Sequence, residues 1–205
     1  GLRFAGLQAY HGKAQHLRSP GEREAAIRHA ASLARSAQAA VTAAGIACPL
    51  VTGAGTGSFA FEAASGVYGE LQCGSYLFMD RDYAANQPTP DAPAFEHALF
   101  VKSQVQSRGH SHAVVDAGHK SHAIDSGLPA VWGGEFEFAN GGDEHGILRP
   151  RGGATLPALG DTVWLVPGHC DPTVNLHDHF IAVRGGLAQG VVEAVWPIDA
   201  RGCLS

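Results

Sequence analysis

The sequence predicts an α/β layer followed by a mostly antiparallel β-domain, the first part reading as the C-terminal βα units of a (β/α)8 barrel. Three observations predict it. Two strand–turn–helix units follow one another within the first 65 residues, helical periodicity of useful length then disappears, and short β-like runs afterwards alternate with Gly, Pro, Asn and Asp clusters. With 205 residues, 45% hydrophobic and 16% charged, the chain can bury a core, and no apolar run approaches the ~18 residues of a membrane span. A net charge of -5 and only 14 scattered Lys and Arg argue against nucleic acid or an anionic membrane as partner. A small polar ligand is the partner these properties favour.

Residues 2–10 read as a buried strand and 11–19 as a polar loop. Ser19-Pro20 then opens a helix, with Glu22 and Glu24 in the first turn, apolar positions at Ile27, Ala30, Ala34, Ala37 and Val41, and Gly45 as the stop. Residues 46–52 form the next strand, which feeds into Gly53-Ala54-Gly55-Thr56-Gly57-Ser58 and a short helix over 59–65. Beyond them, β-like runs are expected at 76–79, 95–106, 111–116, 135–138, 162–166, 178–184 and 190–196. The expected domains are therefore 1–70, the barrel units, and 71–205, the β-domain, with the proline-rich stretch 84–93 as a surface loop near the boundary. Cys48, Cys73, Cys170 and Cys203 are widely spaced, without a CxxC pair or signal peptide, and read as reduced thiols in a cytoplasmic setting. Residue 1 is Gly and an apolar stretch begins at once, as expected of a C-terminal piece of a longer protein.

Three constellations carry chemistry. The glycine turn 53–58, between strand and helix, can present backbone N–H groups and the Thr56 and Ser58 hydroxyls to an anion such as a phosphate; a plain tight turn is the competing reading. Without Gly-Lys-Ser/Thr or a third glycine at dinucleotide spacing, nucleotides are disfavoured. In Pro167-Gly168-His169-Cys170-Asp171-Pro172-Thr173, an extended backbone would point His169 and Asp171 to one side and Cys170 to the other. An imidazole and a carboxylate with open positions suit Mn²⁺ or Mg²⁺ better than a thiolate-bound Zn²⁺; a His–Asp hydrogen bond in a loop is the alternative. Finally, Gln8, Tyr10, His11 and His16 lie at the C-terminal end of the first strand, the face of a barrel where ligand contacts and proton transfer occur, although ordinary surface polarity would also account for them. With 12 histidines against 3 lysines, His110, His112, His119 and His122 remain to be placed, and they read as exposed or structural.

Taken together, Gly6-Leu7-Gln8-Ala9-Tyr10-His11-Gly12, the turn through Ser58 with Tyr68-Glu70-Leu71 and Gly74-Ser75-Tyr76 behind it, Asp116-Ala117-Gly118, Asp125-Ser126-Gly127, Glu144-His145-Gly146 and the segment from His169 to Asn175 resemble the C-terminal half of the D-threonine aldolase and D-serine dehydratase-like family of pyridoxal-phosphate enzymes, with the alanine-racemase type of fold. The resemblance implies a homodimer in which Gly55, Thr56 and Gly57 hold the cofactor phosphate, Gln8 and Tyr10 line its ring, and Tyr76 neighbours it. It also implies that His169 and Asp171 bind a divalent metal, Mn²⁺ or Mg²⁺. His-x-Asp is the aldolase-like pattern, where the dehydratase branch has His-x-Cys. The implied reaction is retro-aldol cleavage of a β-hydroxy-D-amino acid, with His16 as the base. None of Lys13, Lys102 or Lys120 matches the family's Schiff-base lysine, so the piece alone is expected to be inactive. A D-serine or 3-hydroxy-D-aspartate dehydratase, and a non-catalytic histidine-rich metal-binding module, are the alternative readings.

Overall fold

The computed structural model describes residues 1–203. The chain divides into two compact units, Gly1–Glu96 and His97–Ser205.

In the first unit, β1 (Gly6–Gln8), β2 (Leu50–Gly53) and β3 (Glu70–Leu71) form a parallel sheet in that order. Gln8 lies in register with Thr52, and Thr52 with Glu70. The expected first strand is shorter than the apolar run that suggested it. Its partner β2 begins only at Leu50, opposite Gly6, so residues 2–5 have nothing to pair with, and Leu2 and Phe4 are exposed.

Helix α1 (Pro20–Ala43) starts where Ser19-Pro20 placed it and gives way to Gly45 at a φ of 81°. Its buried stripe is Arg23, Ile27, Ala31 and Ala34, while Ala37 is exposed. A buried arginine was not anticipated. The Arg23 guanidinium donates to the carbonyls of Leu17, Arg18 and Gln87 and to the Thr89 hydroxyl, so this cation is solvated by backbone oxygen and not by water. Helix α2 (Phe59–Ala64) follows the glycine turn as expected.

Residues 71–96 belong to the first unit and not to the β-domain. Arg23 holds Gln87 and Thr89, Asn86 Nδ2 donates to the Gln15 carbonyl at 2.9 Å, and the Gln87 amide donates to the Arg18 carbonyl at 2.9 Å. The strand expected at 76–79 is a 3₁₀ turn, Ser75–Leu77, closed by the Met79 amide on the Ser75 carbonyl. Helix α3 (Arg81–Ala84) comes next, its start capped by the buried Asp80 carboxylate, which accepts from the Tyr83 amide at 2.9 Å.

The second unit is β throughout apart from one short helix. β4 (Val101–Arg108), β5 (Ala113–Val115), β6 (Ala130–Val131), β7 (Phe136–Asn140), β8 (Gly146–Pro150) and β9 (Thr162–Val166) form an antiparallel sheet in the order β6-β9-β4-β5-β8-β7. Its two end strands approach each other, which curls the sheet into a near-barrel. Alternation along β4 turns Val101, Ser103 and Val105 inward, where the two valines join Val115, Leu148, Leu165 and Phe138 in the core. Helix α4 (Cys170–Val174) follows β9, and β10 (His179–Arg184) and β11 (Val191–Pro197) make a separate hairpin with a register shift at Ala182/Val183. β6 and β8 were not anticipated. The first has two residues, and the second carries a glycine and a proline at its ends.

His122 is completely buried against the Phe138 ring, and its Nε2 has no hydrogen-bond partner. Burial, with a smaller contribution from nearby His119, pushes this imidazole below its ordinary value. An unfolded chain therefore takes up a proton as pH falls through about 6.5 while the folded one does not, so stability is lost on acidification. Urea midpoints should fall between pH 7 and pH 5.5, and His122→Leu should remove part of that slope; an unchanged slope would contradict it.

No helix among the described residues is long and apolar enough to cross a membrane, and all four cysteines are free.

Candidate active site

The C-terminal ends of the three parallel strands carry polar side chains on one face. The Thr52 hydroxyl donates to Gln8 Oε1, and Gln8 Nε2 donates to Gln72 Oε1 at 2.7 Å. Register puts Gln8 and Thr52 side by side, and the period of two carries Tyr10 and Gln72 to the next level. Gln72 escaped the sequence reading because a lone glutamine after a two-residue strand carries no spacing signal.

The glycine turn packs directly on the 3₁₀ turn Gly12–His16. A Cβ at Gly55 would lie 2.5 Å from Gln15 Oε1 and 2.8 Å from the Tyr10 hydroxyl, and one at Gly57 would lie 2.4 Å from the Gln15 carbonyl oxygen. Gln15, 1% exposed, is the hub. Its Oε1 accepts from the Gly57 amide at 3.0 Å, and its Nε2 donates to Ser58 Oγ at 2.6 Å, which donates in turn to the buried Glu62. Burial pushes the Glu62 carboxyl up, so it is held toward its neutral form.

Gly57 therefore supplies space, its amide being already engaged. Among the described residues no acceptor engages the amides of Gly55 and Thr56, and the Thr56 hydroxyl accepts from the Tyr76 amide at 3.0 Å, which leaves its own proton to donate. This donor set suits an anion without a basic side chain. Tyr76 itself is 40% exposed and packs its ring on Phe95 at 5.4 Å. Tyr10 and Tyr83 share a hydroxyl contact, and burial raises both phenols above their ordinary value. Thus Gln8, Tyr10, His16, Gly55, Thr56, Gly57 and Tyr76 all lie in the first unit, linked through Gln15, Tyr83 and the strand ends.

His169 and Asp171 lie in the second unit, and the local geometry differs from the extended run expected. His169 is extended (φ -140°, ψ 124°) at the start of α4, but Asp171 is already in the first helical turn. The two side chains therefore leave the start of the helix and do not alternate on a strand. The His169 carbonyl accepts from the Thr173 hydroxyl at 2.7 Å, which anchors the helix start. His169 Nδ1 donates to Asp125 Oδ2 at 2.7 Å. Although partial burial alone would raise it, the hydrogen bonds from His169 and Ser126 hold the Asp125 carboxyl below its usual range. An imidazole whose Nδ1 is tied to a carboxylate presents Nε2 as an unshared donor, the arrangement that commonly orients a metal-binding histidine. Asp171 is exposed, so the pair suits a hard cation with several positions left open. Among the described residues no three His, Cys, Asp or Glu side chains gather into a metal cluster. Asp125 belongs to the Asp125-Ser126-Gly127 motif, but its hydrogen bond to His169 forms across 44 residues.

A parallel βα layer with polar strand ends, followed by a curled antiparallel β-domain, is the architecture of the C-terminal half of alanine-racemase-type proteins. Residues 98–183 match the family described as "Putative serine dehydratase domain". The chain is 49% identical over 205 residues to D-threonine aldolase from Arthrobacter sp., covering 98% of this chain and 52% of that protein. It is 45% identical over 207 residues to 3-hydroxy-D-aspartate aldolase from Paracoccus denitrificans (strain Pd 1222), with the same coverage. The crystal structure of D-threonine aldolase from Filomicrobium marinum superposes with a TM-score of 0.93 at 50% identity, over 100% of this chain and 55% of that one. The chain is similar to the C-terminal part of these proteins, and it spans about half the length of the curated relatives it matches.

Proposed function

We propose that this chain is the C-terminal part of a cytoplasmic, homodimeric lyase that uses pyridoxal phosphate and a divalent metal to cleave β-hydroxy-D-amino acids, taking D-threonine to glycine and acetaldehyde. The observation that carries the reading is the Asp125-oriented His169 followed two residues on by a carboxylate and not a thiol; the 49% identity to a D-threonine aldolase supports it. When bound, the cofactor supplies an electron-accepting ring for the pair released from Cα–Cβ, and Mn²⁺ or Mg²⁺ supplies a Lewis acid for the β-hydroxyl.

The chain's own residues do the rest. The amides of Gly55 and Thr56 and the Thr56 hydroxyl hold the cofactor phosphate, Gly57 leaves it room, and Tyr76 fixes Thr56. Gln8 and Tyr10 line the ring. His169 Nε2 and the Asp171 carboxylate hold the metal. His16 Nε2 accepts the β-hydroxyl proton as Cα–Cβ breaks; a proton delivered to Cα then completes glycine, and the former β-carbon leaves as the aldehyde.

The full-length protein should release glycine and acetaldehyde from D-threonine with Mn²⁺ and lose this activity on chelation. Release from none of D-threonine, D-phenylserine and 3-hydroxy-D-aspartate would overturn the reading. The match of residues 98–183 to a serine dehydratase domain favours a second reading, dehydration of D-serine or 3-hydroxy-D-aspartate. It predicts ammonia and a 2-oxo acid as products.

A further inference from the structure

We propose that Asp82 is a positioning residue for His16, fixing which imidazole nitrogen can accept a proton. His16 Nδ1 meets Asp82 Oδ2 at 2.5 Å. The carboxylate can only accept, so Nδ1 carries the hydrogen and Nε2 has its lone pair free. Asp82 is 9% exposed and cannot swing away, because Arg18 donates to its Oδ1 and to its own carbonyl, the latter at 2.6 Å, and donates to Asn86 Oδ1 at 2.7 Å. The next residue, Tyr83, lays its ring near that of His16, with centroids 6.1 Å apart and planes tilted by 31°. The His16 side chain is nonetheless 49% exposed. One edge of the ring is therefore clamped from within while the other remains accessible, the arrangement a general base requires.

Arg18 makes the test sharp. In Asp82→Asn the amide must keep its oxygen toward the Arg18 donors, which turns its NH₂ toward His16. Nδ1 must then accept, the hydrogen moves to Nε2, and that nitrogen can no longer take a proton. Removing Arg18 as well frees the amide to rotate and restore the original tautomer.

The inference rests on His16 being the base of the proposed lyase, and two measurements separate the two claims. In the full-length protein, ¹⁵N–¹H NMR of neutral His16 should show the hydrogen on Nδ1, then on Nε2 in Asp82→Asn, and back on Nδ1 in Asp82→Asn with Arg18→Met. In the full-length enzyme, Asp82→Asn should lower kcat by about 10²–10⁴-fold with KM little changed, and the double variant should recover part of it. A hydrogen on Nε2 in the unmodified chain overturns the inference without any variant. A kcat within about threefold of the parent in Asp82→Asn, with His16→Gln inactive, overturns it and leaves His16 as the base. Full activity in His16→Gln overturns the base assignment itself, and the role claimed for Asp82 with it.

Discussion

Replacing Gly57 with alanine is expected to abolish retention of pyridoxal phosphate by the full-length protein. The new Cβ would sit 2.4 Å from the Gln15 carbonyl oxygen. Because that is a backbone atom, no side-chain rotation relieves the clash; either the glycine turn or the Gly12–His16 turn must move. Overpacking of this kind typically costs about 1–3 kcal/mol, and here the displaced backbone also carries the Gly55 and Thr56 donors. Gly12→Ala is the matched control, since its Cβ would meet only Tyr10 Cε1 at an ordinary 3.6 Å. Visible absorbance of the cofactor should be lost in the first variant and kept in the second. Equal retention in both would show that the turn is not a phosphate cradle.

His169→Ala should weaken Mn²⁺ binding by more than about 100-fold, since even loss of a partner that orients a metal-binding residue costs about 10–100-fold. Asp125→Asn should show that smaller loss, because the asparagine amide no longer fixes the His169 tautomer with a full negative charge. Asp171→Cys exchanges a hard ligand for a soft one and should move preference from Mn²⁺ toward Zn²⁺. Calorimetric titration of the chain with each metal reads all three. Unchanged Mn²⁺ affinity in His169→Ala would remove this segment from the metal site.

Much of the fold was readable without coordinates, for local reasons. Ser19-Pro20 and Gly45 bracket α1 because proline suits the first helical turn and glycine the residue just past the end. Residues 162–166 are a strand as expected, because Val163 and Leu165, two apart, turn to one buried face. The short apolar run at 76–79 misled because no partner strand lies beside it, and a run without a partner closes on itself as a 3₁₀ turn.

The site was half legible. Gln8, Tyr10, His16 and the glycine turn are candidates that the sequence offers because they follow strand ends, and His169 and Asp171 are candidates because of their residue types. Their supports, Gln15, Asp82, Tyr83 and Asp125, are not. The order of residues by itself determined the parallel layer, the β-domain and the residue types offered at each strand end, since propensity, capping and the period of two act over a few neighbours. Only the tertiary structure decided that residues 71–96 belong with the first unit, that Asp82 clamps His16 across 66 residues and that Asp125 turns His169 across 44. Such hydrogen bonds form between side chains that meet only after the chain has folded, and no local pattern records which partner each will find.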